Sequence, residues 1–192
     1  MKIRKAVIAA AGYGTRRLPV TKAIQKELLP YLNKPMIDYI VDACLEAGIE
    51  EFIFVVKANS NQISEYYSQN LELEEYLERR GKNEELALVR NLYNKARYTF
   101  VPQNQVDGYG TGVPLRLAQS HLENEDAFLY MGGDDIIIRN DGVSFIKLLV
   151  DEFEESGADG AATFIRRPWD SLYKYGVAKY REEEGKQILE DL

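Results

Sequence analysis

The sequence predicts an α/β fold on a mostly parallel sheet, and three observations predict it. Short unbroken apolar runs, "KAVIAAA" at 5–11 and "EEFIFVV" at 50–56, lack the polar alternation of a half-solvated strand and suit strands covered on both faces. Stretches with apolar residues at helical spacing lie between such runs, an order that gives parallel strands joined by crossover helices. The composition, 45% hydrophobic and 29% charged over 192 residues, is globular and supplies one sizeable core.

The elements follow in chain order. The first strand closes at Gly12. "PMIDYIVDACLEAG" sets Met36, Ile37, Ile40, Val41, Cys44 and Leu45 at helical spacing, with Pro35 at the start and Gly48 where a C-terminal cap belongs. After the strand at 50–56, residues 71–96 are polar and helix-prone with recurring leucines, which reads as a surface helical insertion, about 66–97 with its edges. A strand at "RYTFVP", 97–102, a helix through "GVPLRLAQSHL" and a strand at "DAFLYM", 126–131, come next. "VSFIKLLVDEFEESG" reads as a helix, then "GAATFIR" and "YGVAKY" as strands. One domain over residues 1–192 is expected, without internal repeats.

Charge and composition exclude several classes. A net charge of −7 argues against a general nucleic-acid binder, which would carry a basic surface. The single cysteine, Cys44, excludes an intrachain disulfide and fits a reducing cytosol. No apolar stretch is long enough for a membrane span, and the N-terminal run is too short for a secretion signal. A cytoplasmic protein with neither nucleic-acid nor membrane partners is the expectation.

Against that acidic background, "AAAGYGTRRLPVTKAIQKELLP", residues 9–30, gathers Arg16, Arg17, Lys22 and Lys26 around two glycines, with Glu27 the one acid. It follows the first strand, at the carboxyl edge where open α/β sheets bind ligands. The dinucleotide fingerprint fails because Arg17 stands at its third glycine, and no G-K-[ST] string completes a phosphate loop. Gly12 and Gly14 let backbone N–H groups approach phosphate oxygens. Arg16 can bind a phosphate bidentately, and Lys26 brings a compact positive charge. Taken alone, the stretch also reads as an ordinary turn with solvated basic residues.

"YMGGDDI" puts Asp134 and Asp135 at another carboxyl strand end. Two such carboxylates can simply cap a turn, but beside a phosphate loop one of them suits Mg²⁺, which takes one or two carboxylates plus phosphate oxygens. Neighbouring residues point to opposite faces, and Asp134 is the preferred ligand. His121, the only histidine, reads as a partly buried or capping residue, since neither a Ser-His-Asp triad nor a histidine zinc site can be built on it. Trp169 with Pro168 reads as loop packing. Among Tyr66, Tyr67, Tyr173 and Tyr175, Tyr175 is the chosen pocket wall.

The longer pattern, "GYGTRRLPVTKAIQKELLP" followed by "NKPMIDYIVDACLEAGI", closely resembles the N-terminal signature of the sugar-1-phosphate nucleotidyltransferases. "VPQNQVDGYGTGVPLRLA" resembles the family's base-recognition segment, "YMGGDDI" its metal motif and "YGVAKY" its sugar-pocket strand. The helical insertion resembles that of the branch using UTP and glucose 1-phosphate. The resemblance implies a Rossmann-like three-layer α/β/α fold with a mostly parallel mixed sheet. It implies transfer of UMP from UTP to glucose 1-phosphate with Mg²⁺, in a homo-oligomer. By position, Gly12, Gly14, Thr15, Arg16 and Lys26 would hold the phosphates, and Ala10 and Ala11 would border base and ribose. Gln103 and Gly108 would meet the uracil edge, Asp134 the metal, and Gly176 the sugar. Gln25 stands where a proline commonly precedes the lysine, and Thr111 where a histidine often follows the glycine pair. The family's Glu-Lys-Pro segment and second metal aspartate would fall beyond Leu192. A shortened chain is therefore expected, one that binds UTP but turns over poorly. Use of dTTP and a non-catalytic nucleotide-binding role are the competing readings.

Overall fold

In the computed structural model, residues 2–174, 176–183 and 185–191 are described. The chain divides into two units, residues 1–157 and 158–192.

The first unit opens with strand β1, Lys5–Ala10, and then a loop containing three single 3₁₀ turns. A two-residue hairpin, β2 (Pro30–Tyr31) and β3 (Lys34–Pro35), leads into helix α1, Met36–Glu46. Strand β4 is Glu51–Lys57. The insertion holds α2 (Gln62–Tyr66), α3 (Leu71–Arg79) and α4 (Asn83–Asn94). Strand β5, Arg97–Gln103, helix α5, Gly112–Ala118, strand β6, Leu129–Gly132, and helix α6, Phe145–Ser156, complete the unit.

The four long strands form one parallel sheet in the order β5-β4-β1-β6. Alternation along these strands divides the core in two. Ala6, Ile8 and Ala10 of β1, with Phe52, Phe54 and Val56 of β4, face α1, α2 and α6 through Ile37, Ile40, Val41, Cys44, Ile63, Val150 and Phe153. Val7, Ile53, Val55 and Val101 face the opposite way, against Leu115, Leu117 and Ala118 of α5. A strand covered on both faces needs apolar residues at every position, and β4 is buried from Phe52 to Val56. The three-layer α/β/α expectation holds. The main sheet is wholly parallel, and the antiparallel pairs among the described residues are the separate hairpins.

Local signals set the helix ends. Gly48 (φ 87°) follows α1, Ser144 accepts from the Lys147 N–H at the start of α6, and Gly157 (φ 66°) ends it. Gly81 (φ 66°) splits the insertion into α3 and α4. The insertion is tied down by charge. Lys95, just after α4, reaches Asp38 at 2.6 Å and Asp42 at 2.7 Å on α1, while Tyr67 Oη donates to Asp38 at 3.2 Å. Tyr67 stacks on Phe54, 5.3 Å between ring centroids, and Tyr66 packs at the edge of the same core. Both are therefore structural rather than pocket walls.

The second unit corrects two strand expectations. "GAATFIR" has no regular structure and is exposed throughout. Its apolar spacing suits a strand, but a strand needs a partner backbone, and the one ladder described here joins β7, Lys179–Glu183, to β8, Lys186–Asp191. Of "YGVAKY", Gly176, Val177 and Ala178 precede the strand, which begins at Lys179, and Gly185 (φ 79°) lies in the turn to β8. Trp169, expected to pack a loop, is exposed.

Candidate functional site

The sheet order creates the site. The connection from β1 leads to β4 on one side, and β6 later pairs on the other, so the chain changes direction at β1/β6. Open α/β sheets bind ligands outside the carboxyl ends of strands at such a point. The segments emerging there are Ala11–Gly14 after β1 and Gly133–Asp135 after β6, with Gly133 N donating to Ala9 O at 2.9 Å.

The glycine loop is built for close approach. Gly14 sits in the left-handed region (φ 64°) before the 3₁₀ turn Thr15–Arg17. Thr21 Oγ1 donates to its carbonyl at 2.8 Å, and a Cβ there would lie 3.0 Å from Thr21 Cγ2. Gly12 has a second duty, because a Cβ would lie 3.3 Å from Lys26 Cε. Its missing side chain makes room for the lysine stem. Thr15 and Arg16 are exposed, and Arg16 makes no ion pair among the described residues. Ala10 is buried against the sheet and Ala11 is half-buried. Gln25, where a proline was expected, donates its backbone N–H to Gln62 Oε1 at 2.9 Å, a bond proline cannot make.

Lys26 and Asp134 meet, 108 residues apart in sequence: the ammonium donates to Asp134 Oδ1. It also lies 3.5 Å from Glu27 Oε1. Glu27 is 0% exposed, and neither carboxylate oxygen has a hydrogen-bond partner. Burial pushes its carboxyl up to about 7, against the opposing pull of Lys26. Burial works against the Lys26 charge, but the Asp134 hydrogen bond and the two carboxylates outweigh it and raise its pKa. Gly133 is forced by this packing. A Cβ there would lie 2.9 Å from Glu27 Cγ and 3.3 Å from both Ala10 Cβ and Ala9 O. Asp135 is exposed and turns back over Gly132 instead of joining the trio.

Two further loops border the same edge. Gln103 ends β5, its carbonyl accepting from Ala58 N at 3.1 Å. Gly108 (φ 98°) follows the 3₁₀ turn Gln105–Asp107, which is closed by reciprocal Asn104–Asp107 capping. Gln105 Nε2 donates to Tyr13 Oη at 2.8 Å, and the Lys57 ammonium lies 5.1 Å from the Tyr13 ring. Tyr13 thus ties the glycine loop to the loops after β4 and β5. Thr111, where a histidine often stands, accepts from Tyr130 Oη through its carbonyl at 2.7 Å.

The structure therefore brings together Gly12, Gly14, Lys26 and Asp134, with Ala10 and Ala11 beneath them. Gly176 is exposed in the second unit, and Tyr175 lies outside the described residues. His121 is exposed, and it is its carbonyl that is used, accepting from Lys5 Nζ at 3.0 Å. Sequence reasoning missed Glu27 and Gly133. The signal for Glu27 was present, since a lone acid amid four bases is unusual. Its burial, however, depends on a strand more than a hundred residues away. Among the described residues no group of three or more acidic, histidine or cysteine side chains is placed to hold a metal. Asp134 could hold one only with help from a ligand's oxygens.

Comparison with known proteins bears on this geometry. Residues 5–190 match the family described as "Nucleotidyl transferase". The chain belongs to the nucleotidyl transferase family. Its relatives in that family include UTP–glucose-1-phosphate uridylyltransferase 2 of Streptococcus pyogenes serotype M1, 39% identical over 92% of this chain and 58% of that protein. The UTP–glucose-1-phosphate uridylyltransferase of Bacillus subtilis is 34% identical over 97% of this chain and 62% of its own length. Among solved structures, a UTP-bound UGPase from Acinetobacter baumannii superposes with a TM-score of 0.75 at 32% identity, over 81% of this chain and 54% of that one. A UDP-glucose pyrophosphorylase complexed with UDP-glucose gives a TM-score of 0.66 at 32% identity, over 80% of this chain and 54% of its own. The chain thus spans about three-fifths of the length of these nucleotidyl transferase relatives.

Proposed function

We propose that this chain carries the nucleotide-binding half of a UTP–glucose-1-phosphate uridylyltransferase. The observation that carries the reading is the meeting of Lys26 and Asp134 beside the Gly12–Gly14 loop at the β1/β6 switch point. The names of the relatives and the UTP- and UDP-glucose-bound neighbours support the choice of UTP and glucose 1-phosphate.

In this reading Gly12, Gly14 and Thr15 present backbone to the phosphates, and Arg16 and Lys26 balance their charge. Gln103 and Gly108 border the uracil, and Gly176 and Tyr175 belong to the sugar side. Mg²⁺ fits Asp134, a half-exposed carboxylate that already holds a cationic group beside a second, buried carboxylate; when bound, it would offset charge on the phosphates around the reacting phosphorus. A sugar-phosphate oxygen is anionic near neutral pH, so no general base is required and the lack of a histidine in the site costs nothing. That oxygen bonds to the α-phosphorus of UTP while the bond from this phosphorus to the α–β bridging oxygen breaks. The electron pair leaves with pyrophosphate. Arg16 and Lys26 stabilise the charge that develops, and the fixed loop aligns attack in line with departure.

Isotope exchange tests the reading. Labelled pyrophosphate, incubated with UDP-glucose, Mg²⁺ and the protein, should return labelled UTP, and Asp134→Ala should abolish the exchange. Exchange indifferent to both Mg²⁺ and Asp134 would contradict it, as would failure of the unmodified protein to bind UTP.

A further inference from the structure

The Lys26 ammonium occupies the carboxylate that the proposed metal needs. It bonds to Asp134 Oδ1, and an ammonium on one oxygen of a carboxylate repels a divalent cation approaching the other. The pair is open to exchange, since the Lys26 and Asp134 side chains are 21% and 23% exposed. Glu27, the third member, is fixed: it is fully buried, with Gly133 packed against its stem. Beside the lysine stem, Gly12 presents no side chain. Lys26 therefore has a fixed carboxyl group 3.5 Å away and space beside its stem where Gly12 lacks a side chain.

We infer that Lys26 is a resident counter-ion that yields Asp134 to a divalent cation, while Glu27 keeps its hold on the ammonium and leaves it facing the nucleotide phosphates. This rests on the proposed reading of Asp134 as the metal carboxylate. Charge supports the exchange. With Glu27 ionised, Lys26, Glu27 and Asp134 together carry one net negative charge, and a divalent cation makes the trio net positive, which suits a polyphosphate. Before the cation arrives, Lys26 keeps Asp134 from repelling the nucleotide; afterwards it adds to the attraction. A purely structural ion pair would respond to neither event.

Mn²⁺ binding without nucleotide, followed by the electron paramagnetic resonance of the free ion, tests this on the whole chain. Lys26→Met removes the competitor and should tighten Mn²⁺ binding by about tenfold, the scale of one charge-assisted contact. Adding Asp134→Asn to that variant should abolish the gain. If Lys26→Met binds no tighter while Asp134→Asn alone weakens binding, the exchange is wrong and the metal reading stands. If Asp134→Asn changes nothing in either background, the metal reading itself fails. Because Lys26→Met leaves Glu27 uncompensated and could unfold the chain, a second measurement uses the unmodified protein. With lysine Nζ labelled by ¹⁵N, and the Lys26 signal assigned by its loss in Lys26→Arg, saturating Mg²⁺ should shift that resonance selectively. An unmoved Lys26 signal at saturation would overturn the exchange.

Discussion

Glu27 is held charged or neutral by a balance that pH can tip. Its carboxyl is raised from the ordinary 4.5 to about 7 by burial, so the folded chain holds this proton more tightly than the unfolded one. The group's contribution is therefore most favourable at pH below 4.5, declines as pH rises, and costs most above 7. The shift corresponds to about 3 kcal/mol at most, reduced by whatever Lys26 loses along with it. Glu27→Gln should accordingly raise the urea midpoint at pH 8 and do so much less at pH 5, at the expense of metal and nucleotide affinity. An equal change at both pH values would contradict the assignment. Gly133→Ala should destabilise by about 1–3 kcal/mol through overpacking, because the walls behind the added methyl are Ala10 Cβ and the Ala9 carbonyl, neither of which can swing away. A wild-type melting curve for that variant would show the fit to be looser than described. At this scale the sequence was partly legible. Gly14, Lys26 and Asp134 carried recognisable chemistry in recognisable places, whereas Glu27 and Gly133 matter only through each other, across a contact that no local pattern encodes.

Helix α4 and its junction show what holds an insertion of polar composition on the sheet. Lys95 is buried between Asp38 and Asp42 of α1, and Tyr67 and Tyr98 stack at 4.6 Å beside it. Removing one partner of a buried pair strands the other's charge, which typically costs about 3–5 kcal/mol. Lys95→Met should therefore lose about 3 kcal/mol in urea denaturation, the Tyr67 hydroxyl still serving Asp38, and adding Asp38→Asn should recover part of it. A double variant weaker than the sum of the two single changes would rule out this coupling. Among the elements, β1 and β4 were legible because strands buried on both faces are apolar at every position, and α1 and α6 because their caps agree with their spacing. The failures have separate causes. "GAATFIR" has strand composition without a partner backbone, β7 is polar and exposed, and the β2–β3 turn has Leu32 in the left-handed region (φ 54°), a conformation leucine does not advertise.

At the scale of the whole molecule, parallel strands put every carboxyl end on one edge, and the switch at β1/β6 decides which loops meet there. That is why residues 10–14, 26–27 and 133–134 converge, while the charged cluster of Lys5, Glu51, Glu125 and Arg97 gathers at the opposite edge, where the same strands begin. No helix among the described residues is long and apolar enough to cross a membrane. The central claim is that this edge binds a nucleotide through its phosphates. Calorimetric titration of the chain with UTP and with uridine, each with Mg²⁺, tests it most directly. UTP should bind far more tightly than uridine. Arg16→Ala and Lys26→Ala should each shrink that difference by about tenfold, the scale of one charge-assisted contact, while leaving uridine unchanged. Uridine binding as tightly as UTP, or UTP affinity untouched in both variants, would contradict the account.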